Sequence, residues 1–445
     1  MKNKWIKGIA AFLSAAVLCT CFAACGGGEG EGDREEDQDV VVSGDTFAPS
    51  EKQAFLGPIR QDEYLFGMGE IASDTMGGGI DGVTGEWLAE TAGAIGAQSM
   101  RVWMHIPNII ERAAYSNEVT LKKHVAEGYH DYFAALKENG VKRIVVMNHQ
   151  FLYPYDYVKR DVNDLQVAIH PIEEPEFYET WIQMYYECYK LLAEEFPEIT
   201  FWECGNEFDS IPFFRRNDGT LMSAEDMGYI DADLCYAANK AIKEVNPNNA
   251  CVFPALTCNQ YSMTVLDSAY TYIESGVLPT LEEYRVTDPD DYWDVVAWHP
   301  YAGGIAEQVK STSLDLYEVM CEHGDSEKRV FFTEIGINDR VRSGGAVPSD
   351  EILQEVADDW IAVVEMIEKD LPFVESFFVF RVCDNVEQDF NGSQDWFGIF
   401  HAPLDEENPG KPKPVALALF HYFNGEDADE APLYAYYNQV TGAIS

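Results

Sequence analysis

Eight times along this chain a short apolar run is followed by a longer segment, and that alternation most limits what the chain can fold into. The runs are Tyr64–Met68, Ser99–Trp103, Arg143–Met147, Thr200–Cys204, Ala250–Phe253, Val295–Trp298, Arg329–Phe332 and Ser376–Phe380. Each is rich in β-branched or aromatic residues and reads as a buried strand. The longer segments show helical period, clearest over Leu121–Lys137, Glu176–Glu195, Ala224–Val245 and Asp350–Lys369, with a last helix expected over Pro414–Phe423. Asn139-Gly140-Val141 supplies a helix stop just before the third strand. Eight β-then-α units point to a closed parallel (β/α)8 barrel, with a doubly wound open sheet as the alternative. No GxGxxG follows the first strand and no GxxxxGK[ST] occurs, so the nucleotide marks of open sheets are missing.

The 445 residues do not require several domains, since a barrel of this kind commonly takes about 250 or more as one unit. Residues 59–445 are read as that single domain. The segment before it has other purposes. Lys2, Lys4 and Lys7 precede an apolar stretch from Ile9 to Val17, the layout of an export signal over residues 1–24. Phe22-Ala23-Ala24-Cys25-Gly26 follows and resembles a bacterial lipobox, which implies lipidation of Cys25. The alternatives are ordinary cleavage near Ala24 or an uncleaved anchor. Residues 25–58 are glycine and acid with little to bury, a self-repelling tether.

Thirty basic residues stand against 77 acidic ones, a net charge of −47. No basic footprint exists for a nucleic-acid partner. The expected membrane contact is through an N-terminal lipid alone. Beyond the signal region seven cysteines are scattered without CxxC spacing, which argues against a disulfide framework and a zinc site and for small buried packing residues, with a single disulfide left open for an exported protein.

Polar residues gather just past nearly every apolar run, where an α/β barrel keeps its active site. Arg101 and Trp103 end the second run; Asn148, His149 and Gln150 follow the third. Asn206 and Glu207 follow the fourth, His299 and Tyr301 the sixth. Glu334 ends the seventh, and Arg381, Asp384 and Asn385 follow the eighth. Glu207 and Glu334 matter most. A carboxylate at the end of a buried strand is expensive unless it has work to do, and two of them at one barrel mouth are the working parts of a glycosidase. Other readings stand beside this one. Glu207 could merely complement a helix dipole, Glu334 and Arg101 could form structural ion pairs, and His149 could be a satisfied core group. Glu203 reads as a structural ion-pair member, and the aromatic loop Phe151–Tyr157 as either a sugar platform or packed surface.

The motifs at these positions resemble clan A of the glycoside hydrolases, nearest to families 39 and 5. Gly205-Asn206-Glu207 is similar to the clan's Asn-Glu signature, Thr333-Glu334 to its nucleophile, and His299-Pro300-Tyr301 to its sixth-strand motif. Trp396-Phe397-Gly398-Ile399-Phe400, with Lys411-Pro412-Lys413-Pro414 after it, is similar to the closing stretch of families 5 and 39. The resemblance spans residues 60–424. It implies a TIM barrel and retaining hydrolysis of a β-linked oligo- or polysaccharide, with Glu334 as nucleophile and Glu207 as acid and base. The expected substrate contacts are Arg101, Trp103, Asn148, His149, Asn206, His299, Tyr301, Asp384 and Trp396, and two carboxyl groups that do all the proton and covalent chemistry need no metal or other cofactor. The chain departs from the clan at the end of the eighth strand, where Phe380-Arg381 stands in place of the usual tryptophan and Trp396 is the candidate to fill its role. A glycan-binding surface lipoprotein without catalysis is the alternative from another class, and transglycosylation the alternative within the enzymes.

Overall fold

Eight strands pair side by side, all parallel, and the last closes on the first. The computed structural model describes residues 64–69, 82–148, 150–155, 174–210, 216, 220, 222–275, 287–385 and 396–442. The signal, the tether and His149 lie outside the described residues. The strands are β1 (Phe66–Gly69), β2 (Ser99–Trp103), β3 (Arg143–Met147), β4 (Phe201–Glu203), β5 (Ala250–Val252), β6 (Val295–Ala297), β7 (Arg329–Ile335) and β8 (Val374–Phe380). Their order around the barrel is the order of the sequence, and β1 meets β8 with Phe66 opposite Phe377. The open-sheet alternative is thereby set aside.

The longer helices are α1 (Gly85–Ile95), α2 (Lys123–Glu138), α3 (Pro175–Glu195), α4 (Ala224–Val245), α5 (Gln260–Ser275), α6 (Ala306–Glu322), α7 (Asp350–Asp370) and α8 (Pro414–Asn424). Side-chain caps start several of them. Thr84 accepts from the Trp87 amide at 3.1 Å, and Ser223 from that of Asp226 at 3.1 Å. A two-stranded hairpin, Ile110–Arg112 with Val119–Leu121, follows β2.

Two separate cores result from the period-2 alternation of each strand. Outward residues join the helices in one large cluster. Inward residues Val145, Val252, Val295, Ala297, Phe331 and Phe378 fill the barrel. β1 contributes no inward bulk. A Cβ on Gly67 would stand 2.6 Å from the Phe378 ring, so the glycine makes room for that ring. Below this layer Arg143 plugs the barrel. Its guanidinium lies over the Tyr64 and Phe201 rings at 4.1 and 4.6 Å and pairs with Glu375 at 2.5 Å. Above it, the same alternation turns Arg101 of β2 and Glu203 of β4 into the barrel at its carboxyl end. No helix among the described residues is long and apolar enough to cross a membrane.

Candidate active site

Arg101 organises the carboxyl end of the barrel. It is fully buried, and its fork reaches three acceptors at once. Nε and Nη2 donate to the two oxygens of Glu203 at 2.6 and 2.8 Å. Nη2 also donates to Asn206 Oδ1 at 2.6 Å, and Nη1 to Glu334 Oε1 at 2.5 Å. A planar guanidinium can do this and an ammonium cannot. Burial alone would weaken the charge on Arg101, but Glu203 and Glu334 outweigh it and raise its pKa further. Glu203 is thus the structural ion-pair member that its place inside the strand suggested.

Glu334 leaves β7 one residue before its end. Its second oxygen accepts from the Tyr301 hydroxyl at 2.9 Å. Burial pushes its pKa up; His299, Arg101 and Tyr301 together outweigh that and hold it below the usual carboxylate range. The group is kept as an anion.

Glu207 arrives from β4 by a different route. Gly205 is required by the Phe208 ring, which a Cβ there would meet at 2.1 Å. The chain then turns so that Glu207 has φ of +52°, rare for a residue with a side chain. Its amide donates to Ala255 O at 2.7 Å, which fixes the turn against the end of β5. The Glu207 side chain meets His299 Nδ1 at 2.8 Å, and His299 Nε2 meets Thr333 Oγ1 at 3.0 Å. Burial lowers the His299 pKa, yet Glu334 and Glu207 more than reverse this. A raised His299 thus sits between the two carboxylates as a potential cation.

The two carboxylates face one another. An oxygen of Glu207, an oxygen of Glu334 and a His299 nitrogen all lie within 4.8 Å of one another. Glu207 and Glu334 are 3% and 5% exposed, so a reactant has only a narrow approach to them. The trio has the composition of a metal site. However, the Arg101 cation already sits against Glu334 and His299 has both nitrogens engaged, which disfavours a second cation.

The remaining sequence candidates separate by place. Asn206 touches Arg101 at the centre. Trp103 stands at the end of β2, half-buried, with its ring 5.4 Å from that of His105. Asn148 spends its Oδ1 on the amides of Ile106 and Gln150 at 2.9 and 3.2 Å, so it shapes the loop after β2. Asp384 accepts from Lys413 Nζ at 2.6 Å and from the Gly398 amide at 3.0 Å, and Lys413 also holds Asp339 at 2.7 Å. Asp384 and Trp396 both line a pocket of about 450 Å³ whose walls do not include the glutamate pair. The rings against Tyr301 are Phe380 and Phe397, at 5.7 and 5.6 Å. The position taken by tryptophan in the clan is therefore bordered by phenylalanines.

Of the aromatic loop, Phe151 is core, packed on Trp181 at 5.0 Å, while Tyr155 is exposed at the rim; Asp156 and Tyr157 lie outside the described residues. Trp87 belongs to the outer layer, its ring 6.4 Å from that of Phe400. Sequence reasoning gave no role to the Thr333 hydroxyl or the Phe397 ring. Their adjacency to Glu334 and Trp396 was the available signal.

No protein-family model matches this chain, and no curated protein does. Solved structures do resemble it. A glucosidase from Croceicoccus marinus is 12% identical with a TM-score of 0.52, over 82% of this chain and 68% of the other. The β-glucosidase from Thermotoga maritima, in complex with castanospermine, is 13% identical with a TM-score of 0.50, over 83% of this chain and 100% of the other. A family 39 glycoside hydrolase from Bacteroides cellulosilyticus WH2 is 13% identical over 82% of this chain and 64% of the other, and its TM-score of 0.45 is too low to argue from. At these identities the likeness establishes the shared barrel fold and nothing finer.

Proposed function

We propose that this chain is a retaining glycoside hydrolase acting on a β-linked glycan, with Glu334 as nucleophile and Glu207 as acid and base. The observation that carries the reading is the approach of the two carboxylates to within 4.8 Å. A retaining pair works at about 5–5.5 Å, whereas an inverting pair needs about 6.5–9.5 Å to admit a water. In the first step a Glu334 oxygen bonds to the anomeric carbon as the bond to the leaving oxygen breaks, and Glu207 gives that oxygen its proton. In the second, Glu207 takes a proton from water, and the hydroxide replaces Glu334 on the sugar.

The supporting groups suit these roles. Arg101 and Tyr301 keep Glu334 ionised between turnovers. Asn206 turns its Oδ1 to Arg101, which leaves its amide nitrogen to donate to the sugar 2-hydroxyl, a contact that strengthens in the transition state. The chemistry calls on no metal or organic cofactor. The barrel shared with two glucosidases supports the same reading.

Export of the chain, with Cys25 lipidated and residues 25–58 as a tether, belongs to this proposal and rests on the sequence alone. A glycan-binding protein would keep the barrel but have no use for an ionised nucleophile opposite a proton donor. A panel of aryl β-glycosides tests the difference. Turnover by the wild type with none by Glu334→Ala supports the hydrolase. Glycan binding with no cleavage of any member supports the binder. Product analysis with added sugar acceptors separates hydrolysis from transglycosylation.

A further inference from the structure

The missing CxxC spacing argued against a metal site, but the fold assembles one from distant parts of the chain. Cys204 follows β4, Cys251 lies in β5 and Cys235 in α4. All three are completely buried, and their sulfurs lie within 4.8 Å of one another. The Cys204 and Cys251 sulfurs are 3.1 Å apart. We propose that Cys204, Cys235 and Cys251 bind a thiophilic metal ion of the zinc(II) class, which staples β4, β5 and α4 together beneath the loop that carries Glu207.

Strand register separates the Cys204–Cys251 pair from a disulfide. Cys251 is opposite Trp202 in the strand register, so Cys204 is two positions further along. Strands about 4.8 Å apart, with a rise of about 6.6 Å over two residues, place the two α-carbons roughly 8 Å apart. A disulfide requires about 4.4–6.8 Å. A shared ion has no such limit. Sulfurs at about 2.3 Å from one tetrahedral ion stand roughly 3.8 Å from each other, and the observed triangle, with one edge of 3.1 Å and none above 4.8 Å, brackets that value.

A second observation points the same way. Asp231 lies one helical turn before Cys235, on the same face of α4. It is 0% exposed, and neither of its carboxylate oxygens has a hydrogen-bond partner. A buried carboxylate without a donor is costly, and a neighbouring cation offsets that cost. Soft thiolates select zinc(II) or copper(I) over magnesium, calcium or manganese. The three thiolates stand on three rigid elements and fill three of the four positions of a tetrahedral ion.

The test is the metal content of the full-length chain, purified without chelator from zinc-supplemented cells. About one zinc per chain is expected in the wild type and in Cys188→Ser, whose cysteine is buried in α3 outside the triangle. Cys235→Ser and Cys251→Ser should each hold at least about tenfold less. Should those variants fail to fold, the wild type grown with cobalt(II) provides an independent reading, with a thiolate-to-cobalt charge-transfer band expected. Three results would overturn the proposal. One is metal-free protein in which all three thiols alkylate in denaturant, which makes them packing residues. Another is a disulfide among the three. Zinc retained in full by both serine variants would place the ion elsewhere and also refute it.

Discussion

Glu207 sits on a strained backbone. A positive φ for a residue with a side chain costs on the order of 1–3 kcal/mol and persists only where the surroundings impose it. Here the Phe208 ring over Gly205 and the hydrogen bond to Ala255 impose it, and the result points the carboxyl at His299 and Glu334. Replacing Glu207 with Ala should lower kcat by about 10²–10⁴-fold on glycosides with poor leaving groups, as for a lost general acid. The loss should be much smaller in the first step with an activated aryl leaving group, which needs no proton. Comparing pre-steady-state bursts on the two substrate types checks this.

Tyr301 gives a second test at this scale. Its hydroxyl is one of the groups holding the Glu334 pKa down. In Tyr301→Phe the acidic limb of the kcat/KM profile should therefore move to higher pH. An unmoved limb would assign that limb to another group. Among single residues, the meeting of Glu207 and Glu334 was legible because each is a charge just beyond an apolar run. Asp384 is expected among the substrate contacts, and its carboxylate is held by Lys413, a residue that the chain brings back only from beyond Trp396. Nothing local in sequence announces such a partner.

At the scale of elements, the turn after β4 is where chemistry and stability meet. Asp209, two residues beyond Glu207, accepts from the Thr257 amide and hydroxyl at 2.9 and 2.8 Å and from the Ser262 hydroxyl at 2.5 Å. It thereby ties the loop to the start of α5. Burial raises its pKa to about 6 despite these donors. A carboxyl raised above its unfolded value of about 3.9 contributes stability that is full below that pH and is lost as pH climbs through 6. The thermal midpoint should fall over that interval in the wild type, and Asp209→Asn should flatten the fall. Equal slopes in the two proteins would contradict the assignment.

Strand and helix positions were largely legible, since period 2 and period 3.6 are written into the order of residues. β2, β3 and α4 lie where periodicity put them. β4 to β6 are shorter than their apolar runs: Thr200 and Cys204 fall outside β4, Phe253 outside β5, and Trp298 outside β6, where it makes an isolated bridge with Leu256. The hairpin after β2 was not foreseen. Its strands are three residues each and carry Glu111, Arg112 and Thr120, too short and too polar to show a period.

Over the whole molecule, eight units were enough to identify a closed barrel, but its filling was not legible. The inward face of β1 is glycine, so the side chain that occupies that space, Phe378, comes from the far end of the sequence. The three-thiol triangle is hidden for the same reason, as contacts across the barrel wall leave no spacing signature. The proposed lipidation of Cys25 makes its own prediction. The full-length chain expressed in bacteria should partition into the detergent phase, and Cys25→Ala should return it to the aqueous phase. Aqueous partitioning of the unaltered chain would refute lipidation at Cys25.

The most direct test of the central claim is to trap the sugar on the enzyme. A 2-fluoro glycoside with a good leaving group slows breakdown of a covalent intermediate, and peptide mass spectrometry then locates the added sugar. Attachment to Glu334, absent in Glu334→Gln, is the predicted result. A sugar attached to any other residue, or continued turnover of ordinary substrates by Glu334→Gln, would contradict the account.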